Sequence, residues 1–326
     1  MPPVMGAAAF IMAEFLEVSY AKVAIAAIIP AIFYYFILFV QVDLHAVKNG
    51  FIGLPPSELP RLRATLKKSW LFVLPITALI IFLFFLRLGP AVSGVYTGFI
   101  MLLVGMFKKE SRITFKEFLG ILEKTGGVLL DIGIICCSAG FIIGMVSLTG
   151  LGFILSSVLI SMAGGNLFML LVFSAMASII LGMGMPAVAC YIILVILTVP
   201  ALIQMGVDPM AAHLFIFYFG IMSFITPPVC LAVYTASAIA GSNVMRTGVE
   251  SVKLGIAGYL VPFVFVFNPS LLLISSERSI FWGVAFTLLG SSLVVVGIEG
   301  FLFRKLNAVT RLCFILGGLG FLYIAC

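Results

Sequence analysis

Charge is what this sequence lacks. Of its 326 residues only 9% are Asp, Glu, Lys or Arg, against about 25% in soluble domains. From Ile132 to Met245 the sole formally charged residue is Asp208. No soluble fold needs so long a stretch without charged surface positions, so a water-soluble protein is excluded. Histidine is nearly as scarce. His45 and His213 are the only two, and there is neither an H-E-x-x-H sequence nor a pair of intramembrane aspartates. A membrane-embedded protease or transferase needs converging polar groups of that kind, so an enzyme is not expected. The cysteines Cys136, Cys137, Cys190, Cys230, Cys313 and Cys326 lie in apolar stretches without metal-ligand spacing. They read as small packing residues, neither disulfides nor ligands. The first residues lack a basic n-region, so no cleavable signal peptide is expected.

What is abundant is apolar sequence, 63% of the chain. Runs of helical length stand at 23–40, 69–86, 88–107, 125–148, 149–163, 167–183, 187–205, 211–225, 254–276, 279–298 and 312–326. β-Barrel alternation is absent, so the fold class expected is all-α and polytopic, with about ten membrane segments, some too short to span. Lys48, Arg61, Arg63, Lys67 and Lys68 fill the loop at 41–68, and Lys108, Lys109, Arg112, Lys116 and Lys124 fill that at 108–124, while the turn between has only Arg87. Together with Arg304, Lys305 and Arg311, these loops follow the positive-inside pattern and are expected in the cytoplasm. They are short and mixed with Glu110, Glu117 and Glu123, which argues against nucleic acid as a partner.

Two local readings concern these loops. GLPPSELPRLRATLKK, residues 53–68, is expected to be a linker and short surface helix, with Ser57, Glu58 and Arg61 near its start. RITFKEFLGILEK, residues 112–124, sets Ile113, Phe115, Phe118, Leu119 and Leu122 mostly on one face and is expected to lie along the cytoplasmic interface.

A repeat organises the chain. MPPVMGAAAFIMA at 1–13 and TPPVCLAVYTASA at 226–238 share Pro-Pro-Val and two alanines at an offset of 225, and each precedes a helix with an internal proline, Pro30 and Pro262, the second copy being seven residues longer. Pro-Pro removes two backbone donors and disfavours helix before it. A bilayer tolerates such a break only where the loosened backbone faces protein or a cavity. In the second copy Gly182, Gly184 and Pro186 should end one helix near 182 and start another, Asp208 should cap a helix opening at Pro209, and that helix should run into Thr226-Pro227-Pro228. The helix breaks expected are therefore at Pro2, Pro3, Pro186, Pro227 and Pro228. Discontinuous helices at matching places in two repeats are the mark of secondary transporters. Three regions follow: 1–126, closing a first repeat; 127–270, a second repeat with hairpin and broken helix; and 271–326, C-terminal membrane helices.

LGMGMPAVACYI, GVDPMAAHLFIFYFGIMSFITPPV and MRTGVESVKLGIAGYLVPFVFVFNPSLLL, with PPVMGAAAFIMAEF, QVDLHAVKNGFIGLPPSELP and LTGLGFILSSVLISMAGGN, resemble the large membrane subunit of TRAP transporters, the tripartite ATP-independent periplasmic systems. The likeness is strongest to the fused permeases paired with TAXI-type binding proteins. It implies an inverted-repeat, elevator-type fold with a re-entrant hairpin, placed in the bacterial inner membrane. It also implies sodium-coupled uptake of an organic acid delivered by a periplasmic TAXI-type binding protein, with sodium as coupling ion, no cofactor, and lipids as surroundings. Fused members are longer upstream, so this sequence is expected to represent a C-terminal portion, and the alternatives are a truncated, transport-inactive membrane scaffold or a different ion-coupled secondary transporter.

Sodium wants several oxygens, which an unwound helix supplies without a carboxylate. The sodium-binding candidates are backbone atoms of Gly182, Gly184, Gly220 and Thr226, with the hydroxyls of Ser223 and Thr226. Thr235 and Ser237 are candidates for a substrate carboxylate, against the alternative that they back-bond to their own helix. Asp131 reads as an interfacial carboxylate paired with Lys124, Glu14 as a helix-end carboxylate, His213 as interfacial, and His45 as part of a cytoplasmic loop.

Overall fold

The computed structural model describes residues 6–51, 73–86, 88–107, 114–274 and 280–325, with isolated positions at 53, 55, 58, 59 and 65; the side chains of 107, 131, 132, 135 and 139 are not included. Pro2, Pro3, Ser57, Arg61 and the Asp131 side chain therefore lie outside the described residues. Apart from one isolated bridge between Phe301 and Lys305, the regular structure of the described residues is helical.

In chain order the helices are α1 (Ala7–Phe15), α2 (Tyr20–Ala26), α3 (Ile28–Asn49), α4 (Val73–Phe85), α5 (Pro90–Phe107), α6 (Phe115–Thr149), α7 (Leu151–Ala163) and α8 (Leu167–Gly182). They continue with α9 (Ala187–Gln204), α10 (Pro209–Met222), α11 (Leu231–Ala240), α12 (Val244–Leu254), α13 (Ile256–Phe267), α14 (Ile280–Glu299) and α15 (Ala308–Ala325). Among the described residues, five stretches are long and apolar enough to cross a membrane: Tyr20–Asn49, α9, Val244–Phe267, α14 and α15. A sixth arises if Cys136–Thr149 and Leu151–Ala163, which meet at 70°, form one broken span. The shorter apolar helices include α8, α10 and α11, three of the four that flank the backbone breaks. The protein is an all-α, polytopic membrane protein.

Local chemistry explains most helix ends. Asp208 Oδ1 accepts from Met210 N at 2.8 Å and Ala211 N at 3.2 Å, so α10 opens on a capped turn with Pro209 at its first position. Asn166 caps α8 in the same way. α6 opens on a capping box, the Thr114 hydroxyl and N–H both donating to Glu117 at 2.7 Å. Those bonds, the hydroxyl's first, hold the Glu117 carboxyl below its ordinary pKa. α6 also corrects an expectation, because the helix starting at Phe115 does not stop as a surface element but runs unbroken to Thr149. Gly126 and Gly127 could have ended it, yet neither takes a positive φ, and the helix stops only where Gly150 turns left-handed.

The core is built on α9, α10 and α13. α10 is apolar on all sides and is buried accordingly, with Leu214, Phe215 and Ile216 no more than 1% exposed. Around it pack Tyr191, Leu194 and Leu202 of α9 and Val261 and Phe265 of α13. The repeat reappears as structure. Shifted by 225, the bounds of α1 fall on 232–240, and α11 occupies Leu231–Ala240. The helices α1, α2 and α3 are followed in kind by α11, α12 and α13, with α12 at 11 residues against 7 for α2. The rest of the length difference arises because Pro262 sits deeper in α13 than Pro30 does in α3.

At one end of the molecule α3 meets α14. Lys48 Nζ donates to the Glu299 carbonyl at 2.7 Å and lies 3.5 Å from its carboxylate, while His45 Nδ1 stands 3.4 Å from the same oxygen. His45 is thus in the last turns of α3, not in a loop, because the helix extends to Asn49 before Gly50 turns left-handed. This contact brings the basic positions 48 and 304–311 to one end, as a common cytoplasmic side requires.

Candidate functional site: the junction of two broken helices

The first break follows α8. Met183 leaves helical geometry, Gly184 takes φ +79°, and Pro186 precedes the first turn of α9. Among the described residues no N–H reaches the carbonyls of Met183, Gly184 or Met185. The second break follows α10. Ser223 and Phe224 continue as turns, then Thr226 to Cys230 are non-helical, with a cis bond between Pro227 and Pro228, before α11 begins at Leu231. The carbonyls of Ile225, Thr226 and Pro227 likewise accept no backbone N–H from the described residues. Pro227 and Pro228 stop the helix, so the N–H groups of Val229, Cys230 and Leu231, which would reach these carbonyls in a continued helix, do not. Neither α9 nor α11 has a side-chain cap on its first N–H groups.

The two breaks adjoin. A Cβ placed on Gly182 would lie 3.0 Å from the Gly220 carbonyl oxygen and 3.0 Å from Ser223 Oγ, so only glycine allows this approach. Cys190 Sγ fills the gap between them, 2.9 Å from the position a Cβ would take on either Gly182 or Gly220. Two residues further, the Cβ position of Gly184 is 3.9 Å from Val229 Cγ1. Ser223 Oγ, 1% exposed as a residue, donates its one proton to Gly220 O at 2.6 Å. Both its lone pairs are therefore left for a donor or a cation.

The candidate residues divide. Gly182, Gly220 and Ser223 come together in this junction, and Gly184 borders it through Val229. Thr226 is turned to other partners: its Oγ1 lies 2.6 Å from Met222 O and 2.7 Å from the hydroxyl of Tyr259 on α13. Thr235 is exposed on α11. Ser237 is buried and back-bonds, its hydroxyl donating to Tyr234 O at 3.0 Å. Glu14 is exposed in the last turn of α1. His213 corrects an expectation, since it is 5% exposed and its Nδ1 lies 2.7 Å from the Tyr191 hydroxyl. The reason is that α10 enters the core within its first turn. Sequence reasoning missed Cys190, Tyr191 and Tyr259. Only Cys190 carried a signal, one turn past Pro186 in the helix that leaves the break.

No group of three or more His, Cys, Asp or Glu among the described residues could hold a metal. The junction instead offers carbonyl and hydroxyl oxygens without formal charge, a donor set suited to a hard monovalent cation.

These features define the class, a polytopic α-helical membrane protein in which two interrupted helices pack break to break. The family described as Tripartite ATP-independent periplasmic transporter, DctM component, matches residues 1–280, and the chain belongs to that family, one of transporters and not of enzymes. It is thus a membrane permease component of a TRAP transporter, and the match covers both breaks and the helices up to the start of α14. No curated protein matches the chain.

Proposed function

We propose that this permease takes up an organic acid together with sodium, across a bacterial inner membrane, from a periplasmic binding protein of the TAXI type. The observation that carries the reading is the abutment of the two breaks, in which Gly182, Gly220 and Ser223 converge beside six backbone carbonyls without N–H partners. Carbonyls without N–H partners are free to turn toward a bound cation, and Gly182, Gly220 and Ser223 beside them are buried. The sodium ligands come from the junction: Gly182, Gly220 and Ser223 directly, with Gly184 and Thr226 at its borders. The uncapped N-termini of α9 and α11 carry partial positive charge and favour a carboxylate beside the cation. Thr235 serves that carboxylate from the exposed face of α11, and Ser237 takes part only by giving up its bond to Tyr234. Transport follows from movement of the broken-helix body relative to fixed helices, an elevator-type exchange between the two sides.

The test is uptake by the purified chain in proteoliposomes, with a TAXI-type binding protein and a labelled organic acid outside. Uptake that requires both an inward sodium gradient and the binding protein supports the reading. Uptake unchanged by replacing sodium with choline, or no uptake of any acid offered, refutes it.

A further inference from the structure

We propose that Tyr259 is a positioning residue for the junction, acting through Thr226 to set the backbone of the second break. This rests on the reading of that junction as a cation site. The hydroxyl of Thr226 has one proton and two neighbours, Met222 O at 2.6 Å and Tyr259 Oη at 2.7 Å. A carbonyl can only accept, so the Thr226 proton goes to Met222 O and Tyr259 must donate to Thr226 Oγ1. The result is a directed chain of bonds, from Tyr259 on α13 through Thr226 to the last residue of α10. Thr226 is the residue immediately before Pro227-Pro228. Fixing its side chain fixes the point at which the backbone leaves the helix, and with it the direction of the unpaired carbonyls of Ile225, Thr226 and Pro227.

The surroundings hold Tyr259 in that role. Its ring packs against Phe219 of α10 with centroids 6.3 Å apart, and Phe219 packs in turn on Phe263 at 5.7 Å. At the N-cap of α13 the Cβ position of Gly255 faces Ile225 and Met222, and within the helix that of Gly258 faces Met222. α13 and its N-cap thus present two glycines and a tyrosine to the end of α10, letting the backbones approach and then tying them by one hydroxyl. Thr226 back-bonding alone would close its own turn but would not orient that turn relative to α13.

The experiment measures sodium affinity of the purified chain from its thermal stabilisation by sodium chloride against choline chloride at equal ionic strength. Tyr259→Phe keeps the ring against Phe219 and removes only the donor. It is expected to weaken sodium affinity about fivefold to tenfold, with the unfolding midpoint in choline close to that of the parent. Thr226→Val is expected to weaken it at least as much, Thr226→Ser to retain it, and Tyr259→Phe combined with Thr226→Val to be no worse than Thr226→Val alone, since both break one chain of bonds. If Tyr259→Phe leaves affinity unchanged while Ser223→Ala abolishes it, the positioning role is refuted and the cation site stands. Independent, multiplying losses in the double variant also refute it. If the parent chain shows no sodium response, the cation site and the positioning role fall together.

Discussion

Gly182→Ala is the substitution that most sharply probes the contact between the breaks. The added methyl would sit 2.9 Å from Cys190 Sγ and 3.0 Å from both Gly220 O and Ser223 Oγ. The sulfur and the hydroxyl can each swing aside, but the carbonyl oxygen belongs to the α10 backbone and moves only if α8 and α10 separate. Overpacking of this sort costs typically about 1–3 kcal/mol. Against it stands the helical preference for Ala over Gly, up to about 1 kcal/mol, since Gly182 is the last residue of α8. The net expectation is destabilisation of about 1–2 kcal/mol. Gly320→Ala is the control, being helical in α15 with nothing within 4 Å of its Cβ position. There the same substitution has no clash and should be neutral or stabilising. Thermal unfolding in detergent reads the difference, with a lower midpoint for Gly182→Ala and an unchanged or higher one for Gly320→Ala. Cys190→Ala added to Gly182→Ala should recover part of the loss, because it relieves the sulfur contact and not the carbonyl contact. Equal midpoints for the two glycine variants would refute the abutment on which the site rests.

Further outcomes follow from other contacts. Tyr191→Phe should destabilise the chain by about 1–3 kcal/mol, because it leaves buried His213 Nδ1 without its 2.7 Å partner; unfolding midpoints check this, and a Tyr191→Phe, His213→Leu pair should cost less than the sum of its parts. Glu299→Gln should cost about 1–2 kcal/mol, well below the full price of breaking a buried ion pair, because Lys48 keeps its bond to the Glu299 carbonyl and its side chain is 34% exposed. That loss should shrink in high salt, and a salt-independent loss would contradict an ionic origin. Gly318→Val should splay α14 from α15, since even a Cβ there would lie 2.7 Å from Val294 Cγ2; cysteine cross-linking between the two helices should fall with it.

Much of this architecture is written in short stretches of sequence, and the reason is locality. Gly184 and Pro186, the Pro227-Pro228 pair and the Asp208-Pro209 cap act within a turn of their own position, so the ends of α8, α9 and α10 can be read from them. The all-helical, membrane-embedded class is equally plain from the near-absence of charge. What stayed hidden depends on partners distant in the chain. His213 looked interfacial because its partner Tyr191 lies on the other arm of the hairpin, 22 residues away. The bond between Thr226 and Tyr259 was hidden because Tyr259 is 33 residues downstream on α13. His45 was assigned to a loop because nothing before Gly50 announces the length of α3, and its acidic neighbour Glu299 is 254 residues away. Within the site, the nearness of Gly182 to Gly220 and Ser223 is a property of helix packing, and small residues at helix contacts are too common in membranes to reveal a pairing by themselves.

The direct measurement of the central claim is a calorimetric titration of sodium chloride into the detergent-purified chain, in choline buffer, beside Ser223→Ala and Glu299→Gln. A saturable sodium isotherm in the parent and in Glu299→Gln, weakened at least tenfold in Ser223→Ala, is what an oxygen-lined cation site between the two breaks requires. Equal isotherms for the parent and Ser223→Ala, or none in the parent, would contradict it.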